Sequence, residues 1–115
     1  LSIFLKSYSD FFFDFDSFKL NQDQISNISD LSKILDRYDY IEVNIDGHAS
    51  SEGEFEYNMQ LSQSRSNSIK NTLIKNGVND SRLKTRAYGE SNPSYPSFPL
   101  SERKKNRRVR ISVEN

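Results

Sequence analysis

What most constrains the fold is a stretch near the middle of the chain where a strand pattern gives way to a helix pattern. In its first part, the apolar residues Ile41, Val43 and Ile45 alternate with polar ones. A period of two is typical of a strand with one buried face. In its second part, Leu61 and Ile69 fall on one stripe at a multiple of four, which is typical of a helix. A strand, a polar loop and a helix are therefore predicted in that order.

Arg65 lies on the apolar stripe of this helix, between Leu61 and Ile69. A guanidinium keeps its proton, so an arginine that points inward is expected to meet a fixed anion. The spacing leaves two interpretations open. Arg65 either binds a structural acid or binds the carboxylate of a ligand, for which its planar fork is well suited. The structural acids considered are Asp14, Asp16 and Asp46.

The remaining segments continue the alternation of strands and helices. A first helix is predicted from Asn21 or Asp23, where Asn21 and Gln24 have the spacing of a capping box. The second helix is predicted over residues 57–76 and ends at Gly77. The apolar face of the first helix is expected to hold Ile25, Ile28, Leu31 and Leu35. Strands are predicted at 7–17, with Phe11, Phe13 and Phe15 on one face, and at 41–47, 83–87 and 109–113.

This order of elements predicts one α/β domain, a βαβαβ-type two-layer sandwich of a mixed four-stranded sheet packed on helices. The chain has 115 residues, which suits a single core. We expect residues 1–10 to be a lead-in and residues 11–115 to form the domain. The prolines at positions 93, 96 and 99 predict a loop before the last strand, with Tyr95 and Phe98 holding it in place.

Charge is distributed unevenly along the chain. Residues 1–57 hold 4 Lys/Arg and 12 Asp/Glu, a net charge of −8, and residues 58–115 hold 12 and 4, a net charge of +8. The two halves are expected to face each other, which argues against a globally basic nucleic-acid binder. The basic run at 103–108 could form a local positive patch, but the interpretation we favour is a solvated loop that leads into a strand. No apolar run reaches the roughly 20 residues of a membrane helix.

Five motifs occur in one order and together cover roughly residues 11 to 113. The most specific is Gly47-His48-Ala49-Ser50-Ser51-Glu52-Gly53 followed by Tyr57-Asn58-x-x-Leu61-Ser62-x-x-Arg65. The others are Phe13-Asp14-Phe15-Asp16-Ser17, Gly77-Val78 with Arg82-Leu83, Tyr88-Gly89-Glu90-Ser91-Asn92-Pro93, and Asn106-Arg107-Arg108-Val109. In this order the five motifs resemble those of OmpA-like peptidoglycan-binding domains.

The resemblance implies a non-catalytic module of the Gram-negative envelope that holds the diaminopimelate residue of the peptidoglycan stem peptide. Such a module would lie in the periplasm and attach its parent outer-membrane or envelope protein to the cell wall. It also implies a role for individual residues. Arg65 would bind a carboxylate, Asp16 and Glu52 the ligand ammonium, and Asn58 peptide or carboxylate oxygens, while Arg108 would lie at the pocket edge.

Ser50 departs from the family pattern, in which an aspartate usually occupies this position. Serine keeps a hydrogen-bonding oxygen but loses the charge, and a charge-assisted bond is roughly twice as strong as a neutral one. Either a nearby carboxylate such as Glu52 or Asp16 replaces it, which is the interpretation we favour, or the domain has lost wall binding and docks a partner protein instead. Ser50 is kept among the predicted ligand-binding residues.

Simpler roles are available for several of these residues. Asn58 could cap its helix, Asp16 could stabilise a turn, and Arg108 could be an ordinary exposed strand residue. His48, the only histidine, is interpreted as structural. No cysteine, nucleophile elbow or glycine-rich phosphate loop is present, so the sequence predicts neither an enzyme nor a cofactor or metal site. Nucleic-acid binding through residues 103–110 is disfavoured because that strand lacks stacking aromatics.

Overall fold

A computed structural model describes residues 10–49, 54–89 and 106–113 of the chain. These residues form a four-stranded mixed sheet with two helices, as the sequence predicts. The sheet order is β1-β4-β2-β3, in which β4 pairs antiparallel with β1 and with β2, and β2 pairs parallel with β3. In chain order the elements are β1 (Asp10–Phe12), α1 (Gln22–Arg37), β2 (Val43–His48), α2 (Phe55–Lys75), β3 (Leu83–Gly89) and β4 (Arg108–Val113).

The first helix begins where its capping box predicts. The Asn21 side chain accepts a hydrogen bond from the Gln24 backbone N–H at 2.8 Å, and the Gln24 side chain accepts one from the Asn21 N–H at 2.9 Å. This reciprocal pair satisfies two of the donors that a helix start leaves without partners. Of the predicted apolar face, Ile28, Leu31 and Leu35 are buried, whereas Ile25 is 39% exposed and lies outside the core.

One core lies between the sheet and the helices. It is formed by alternate residues of the strands and by the apolar stripes of α1 and α2. Its buried members are Phe11, Phe13, Ile28, Leu31, Leu35, Ile41, Val43, Ile45, Ile69, Leu73, Val78, Leu83, Val109 and Ile111. By general area bookkeeping each fully buried aliphatic or aromatic side chain contributes about 1.5–3 kcal/mol to folding.

Helix α2 approaches the sheet unusually closely at Gly47. A Cβ built on Gly47 would lie 2.0 Å from the backbone oxygen of Ser62 and 2.4 Å from the Ser66 hydroxyl. Ser62 and Ser66 are both fully buried, and their hydroxyls bond the sheet: Ser62 accepts from the Gly89 N–H and Ser66 donates to the Arg86 carbonyl. Small residues on both surfaces therefore set the distance between helix and sheet.

The first strand is shorter than predicted. It ends at Phe12, and residues 15–16 form a turn that carries the chain away from the sheet toward α2. Phe11 and Phe13 are buried as expected, but Phe15 is 60% exposed, because the chain leaves the extended conformation at this turn. The predicted residues 7–9 and the proline-containing loop with Tyr95 and Phe98 lie outside the described residues.

The sheet face turned away from α1 and α2, here the outer face, carries an ordered row of charges. Arg110 forms a forked ion pair with Asp10 at 2.9 and 3.2 Å. Arg86 forms another with Asp46 at 2.7 and 2.9 Å. Asp46 is the register partner of Arg110, so the row crosses all four strands with alternating sign. Both pairs join a residue of the acidic half to one of the basic half, as the charge distribution predicts.

Candidate functional site

Arg65 is fully buried, and its guanidinium is held by three backbone carbonyls. Its Nε donates to the Ser17 oxygen at 2.7 Å, Nη1 to the His48 oxygen at 3.0 Å and Nη2 to the Asp14 oxygen at 3.0 Å. The Phe13 ring lies against it, with the guanidinium carbon 5.4 Å from the ring centroid. These acceptors are neutral, so they orient the guanidinium without supplying a negative charge. Asp46, one of the acids considered as its partner, pairs with Arg86.

Two of those three carbonyls belong to one turn, residues 14–17. The Ser17 N–H donates to the Asp14 oxygen at 3.2 Å, closing the turn on itself. Asp16 has a left-handed backbone with φ of 57°, a conformation that aspartate tolerates better than most residues. The predicted role of Asp16 in a turn therefore agrees with the structure. The turn also brings its carboxylate to the N-terminal part of α2.

Tyr57 connects that carboxylate to α2, a contact that the sequence did not predict. Its hydroxyl donates a hydrogen bond to Asp16 Oδ1. This hydrogen bond is the main reason that the pKa of Tyr57 is raised, while the positive charge of Arg65 opposes the rise. Tyr57 precedes Arg65 by eight residues, a little over two helical turns. That spacing was the available signal that the two share one side of α2.

Asn58 lies on the same helical face as Arg65, seven residues before it, and is buried. It does not cap the helix, because the N-cap is Glu54 and Asn58 is in the first turn. The interpretation of Asn58 as a cap was therefore wrong. A polar side chain buried on the face that carries Arg65 is compatible with the predicted ligand contact. The structure thus brings Asp16, Asn58 and Arg65 to one end of the sheet, and this set is called the carboxylate site below.

Arg108 approaches this end of the sheet from the outer face. Its neighbour Val109 is the register partner of Gly47, which faces α2, so Arg108 points the other way. It is buried rather than exposed, and Nη1 lies 3.5 Å from the side-chain oxygen of Asn106, which is also buried. The interpretation of Arg108 as an ordinary exposed strand residue was therefore wrong. The interpretation of the basic run as a solvated loop was also wrong for residues 106 and 108, which are buried. Its place at a ligand pocket stays a prediction.

His48 is also buried on the outer face, where its ring stacks on Tyr88 at a centroid distance of 5.1 Å. Burial, reinforced by the charge of Arg108, lowers its pKa from 6.5 to about 4. The imidazole is therefore neutral near pH 7. This environment agrees with the structural role predicted for it.

Ser50 and Glu52 lie outside the described residues, so their parts in the site stay predictions. Within residues 10–49, 54–89 and 106–113, no group of three or more His, Asp or Glu side chains is placed to hold a metal ion. In the same residues no helix is long and apolar enough to cross a bilayer.

The chain is similar to parts of known envelope proteins. It is 36% identical over 102 residues to outer membrane porin F of Pseudomonas fluorescens, covering 89% of this chain and 31% of the porin. It is 33% identical over 104 residues to the peptidoglycan-associated lipoprotein of Buchnera aphidicola subsp. Baizongia pistaciae, covering 90% of this chain and 60% of the lipoprotein. The chain therefore spans less than two thirds of either relative.

Solved structures have the same fold. The peptidoglycan-associated lipoprotein from Burkholderia pseudomallei superimposes with a TM-score of 0.90 at 22% identity, over 96% of this chain and 93% of that one. The C-terminal domain of Helicobacter pylori MotB superimposes with a TM-score of 0.84 at 30% identity, over 92% and 84%. The OmpA family profile matches residues 12–107. Because that match spans most of the sequence, the chain belongs to the OmpA family.

Proposed function

We propose that this domain binds the stem peptide of peptidoglycan, at its diaminopimelate residue, and so attaches a larger envelope protein to the cell wall. The observation that carries the proposal is the buried Arg65 guanidinium, oriented by three neutral carbonyls from two different segments. A guanidinium fixed in this way is well prepared for a carboxylate, because little conformational freedom remains to be lost on binding. Relatives named for peptidoglycan association support the same assignment.

The negative charge of Asp16 in the site fits the ammonium group of the ligand. Diaminopimelate carries an ammonium beside its free carboxylate, so it needs an acid close to the arginine. Asp16 supplies that acid on the turn that holds Arg65, and Glu52 is the further candidate from the family resemblance. Asn58 would bond the peptide or carboxylate oxygens. We place the domain in the periplasm, associated with the outer membrane through the rest of its parent protein.

Co-sedimentation with purified cell-wall sacculi at about 0.15 M salt tests the function. Lysine has one carboxylate fewer than diaminopimelate, so sacculi with lysine at the third stem position remove the group that Arg65 is proposed to bind. Wild-type protein should sediment with diaminopimelate sacculi and remain soluble with lysine sacculi. Equal retention on both would contradict the diaminopimelate assignment.

A pair of matched variants isolates the arginine. Arg65→Lys keeps the charge but loses the planar fork, and it should abolish retention. Arg86→Lys makes the same chemical change in an ion pair on the outer face and should retain binding. If wild-type protein binds neither kind of sacculus, the alternative remains that the domain keeps the fold, has lost wall binding and docks a partner protein in an envelope assembly.

A further inference from the structure

We infer that Tyr57 is a positioning residue for the carboxylate site: through Asp16 it holds the 14–17 turn in the place where that turn orients Arg65. The inference rests on the proposed function, in which Arg65 binds the ligand. The family resemblance implies a ligand-binding role for the neighbouring Asn58 but no role for Tyr57. The contacts of the turn show why the tyrosine matters.

The 14–17 turn has few restraints of its own. One internal backbone hydrogen bond closes it, from the Ser17 N–H to the Asp14 oxygen at 3.2 Å. At its corner Asp16 has a φ of 57°, which costs a non-glycine residue about 1 kcal/mol or more. Asp16 is itself exposed, so core packing does not fix it. Arg65 contacts the turn at the Asp14 and Ser17 carbonyls, and the Arg107 guanidinium lies 5.9 Å from the Phe15 ring centroid. The corner at Asp16 is the part that needs a further contact to stay in one conformation.

Tyr57 supplies that contact from a rigid element. It lies on the first turns of α2, and its hydroxyl donates to the Asp16 carboxylate. A hydrogen bond to a charged acceptor is stronger than one between neutral groups. The tyrosine therefore ties the corner of the turn to the same helix that carries Arg65.

The 14–17 turn determines where the Arg65 guanidinium points. Its carbonyls at Asp14 and Ser17 accept from Nη2 and Nε of Arg65, and the third acceptor, His48, lies on β2. A displaced turn would remove the acceptors of Nη2 and Nε together. The guanidinium would then be less firmly oriented, and its direction toward a ligand carboxylate would be lost.

Tyr57 contributes little to the core, so a positioning role can be separated from a role in stability. Its side chain is about half exposed, and Tyr57→Phe removes only the hydroxyl. We expect this variant to keep the thermal midpoint within a few degrees of wild type. Its affinity for a diaminopimelate-containing muropeptide should fall about fivefold to tenfold, because binding would then have to order the turn and the guanidinium.

Ser68→Ala is the matched control. The Ser68 hydroxyl also ties α2 to this segment, by donating to the Phe18 oxygen at 2.7 Å, but that carbonyl is not among the three that hold Arg65. Removing it deletes a neutral hydrogen bond from α2 to the residue directly beyond the turn. We expect affinity within about twofold of wild type, since the acceptors of Arg65 are untouched.

A second measurement needs no ligand. The Arg65 Nε–H is buried and hydrogen-bonded, so it should give a resolved NMR signal that exchanges slowly with water. Tyr57→Phe should accelerate that exchange severalfold, while Ser68→Ala should leave it unchanged. Asp16→Asn, which keeps an acceptor oxygen but loses the charge, should give an intermediate rate.

The two measurements separate the inference from the function on which it rests. If wild-type protein does not bind the muropeptide, the proposed function fails, and the exchange of the Arg65 Nε–H still decides whether Tyr57 positions the guanidinium. If Tyr57→Phe leaves both exchange and affinity at wild-type values, or if Ser68→Ala changes them equally, the positioning role is overturned.

Discussion

Arg65 and His48 meet at the end of β2 from opposite faces of the sheet. Arg65 Nη1 donates to the His48 carbonyl at 3.0 Å, while the imidazole of His48 lies on the outer face beside Arg108. One residue of β2 thus contacts the carboxylate site through its backbone and lies near the buried Arg108 through its side chain. The backbone of this strand end therefore connects the outer face to the site.

Gly47→Ala should destabilise the domain by at least about 2 kcal/mol, because the new methyl group would overlap the backbone oxygen of Ser62. Urea unfolding measures the change. The double variant Gly47→Ala/Ser66→Ala should recover little, since it relieves only the contact with the Ser66 hydroxyl. Full recovery in the double variant would show that the Ser62 carbonyl is not the obstacle.

Arg82→Ala should cost about 2–4 kcal/mol of stability without affecting wall binding. The Arg82 guanidinium donates to the oxygens of Leu35 and Tyr38, at the end of α1, and to that of Ile41 before β2, at 2.8–2.9 Å. Its removal leaves these carbonyls without a charged donor. Lys33→Ala, an exposed cation of α1, is the control and should stay within about 0.5 kcal/mol of wild type. Loss of sacculus retention in a folded Arg82→Ala protein would contradict the separation of the two roles.

These contacts also show which parts of the fold the sequence reveals. The capping box at Asn21 and the alternation at Ile45 depend on neighbours in the chain, so local patterns predict them well. The end of β1 at Phe12 depends on a turn whose corner, Asp16, is held by a side chain 41 residues away. A period-2 pattern continues through Phe15 in the sequence, and nothing local marks where it stops.

The candidate site likewise has features that the sequence predicts and features that it does not. Arg65 was predicted from its place on an apolar stripe, and it is buried as expected. Its acceptors were not predicted, because backbone carbonyls have no sequence signature and the considered partners were side-chain acids. For Arg108 the alternation of β4 gave the correct strand but not the burial, which depends on what covers the outer face.

Lowering the pH from 6.5 to 4 should destabilise the folded protein through His48. Its pKa is about 4 when folded and near 6.5 when unfolded, so between these values the unfolded chain binds a proton that the folded chain does not. The stabilisation that neutral His48 gives to the folded protein is fully present above pH 6.5. It is lost progressively as the pH falls toward 4, by a total on the order of 3 kcal/mol. The charged groups around the ring, Asp10, Asp46, Arg108 and Arg110, shift it in both directions, and burial dominates.

His48→Phe isolates that contribution, since it keeps a ring beside Tyr88 and does not titrate. The difference in unfolding free energy between wild type and variant should change with pH over this window. A difference that is constant from pH 7 to pH 4 would mean that His48 is not the titrating group.

Ser50→Asp should strengthen binding to diaminopimelate peptides if the family resemblance holds at this position. The substitution restores the acid that most members carry, and a charge-assisted bond to the ligand is worth on the order of 1–3 kcal/mol. Calorimetry with a muropeptide measures it. Should affinity stay flat or fall, another carboxylate already fills the role, and Glu52→Gln would then be the damaging change.

Salt dependence separates wall binding from nucleic-acid binding. Duplex DNA bound through several cations would show a slope of roughly −0.9 per neutralised phosphate, whereas a site for one zwitterionic ligand has little net charge to screen. Part of the positive charge of β4 is already matched within the protein, as Arg110 pairs with Asp10 at 2.9 Å. We therefore expect any DNA retention at low salt to disappear near 0.15 M while retention on sacculi persists. DNA held at that salt by a protein that sacculi do not retain would refute the peptidoglycan assignment, because a compact site around Arg65 cannot produce a steep dependence on many phosphates.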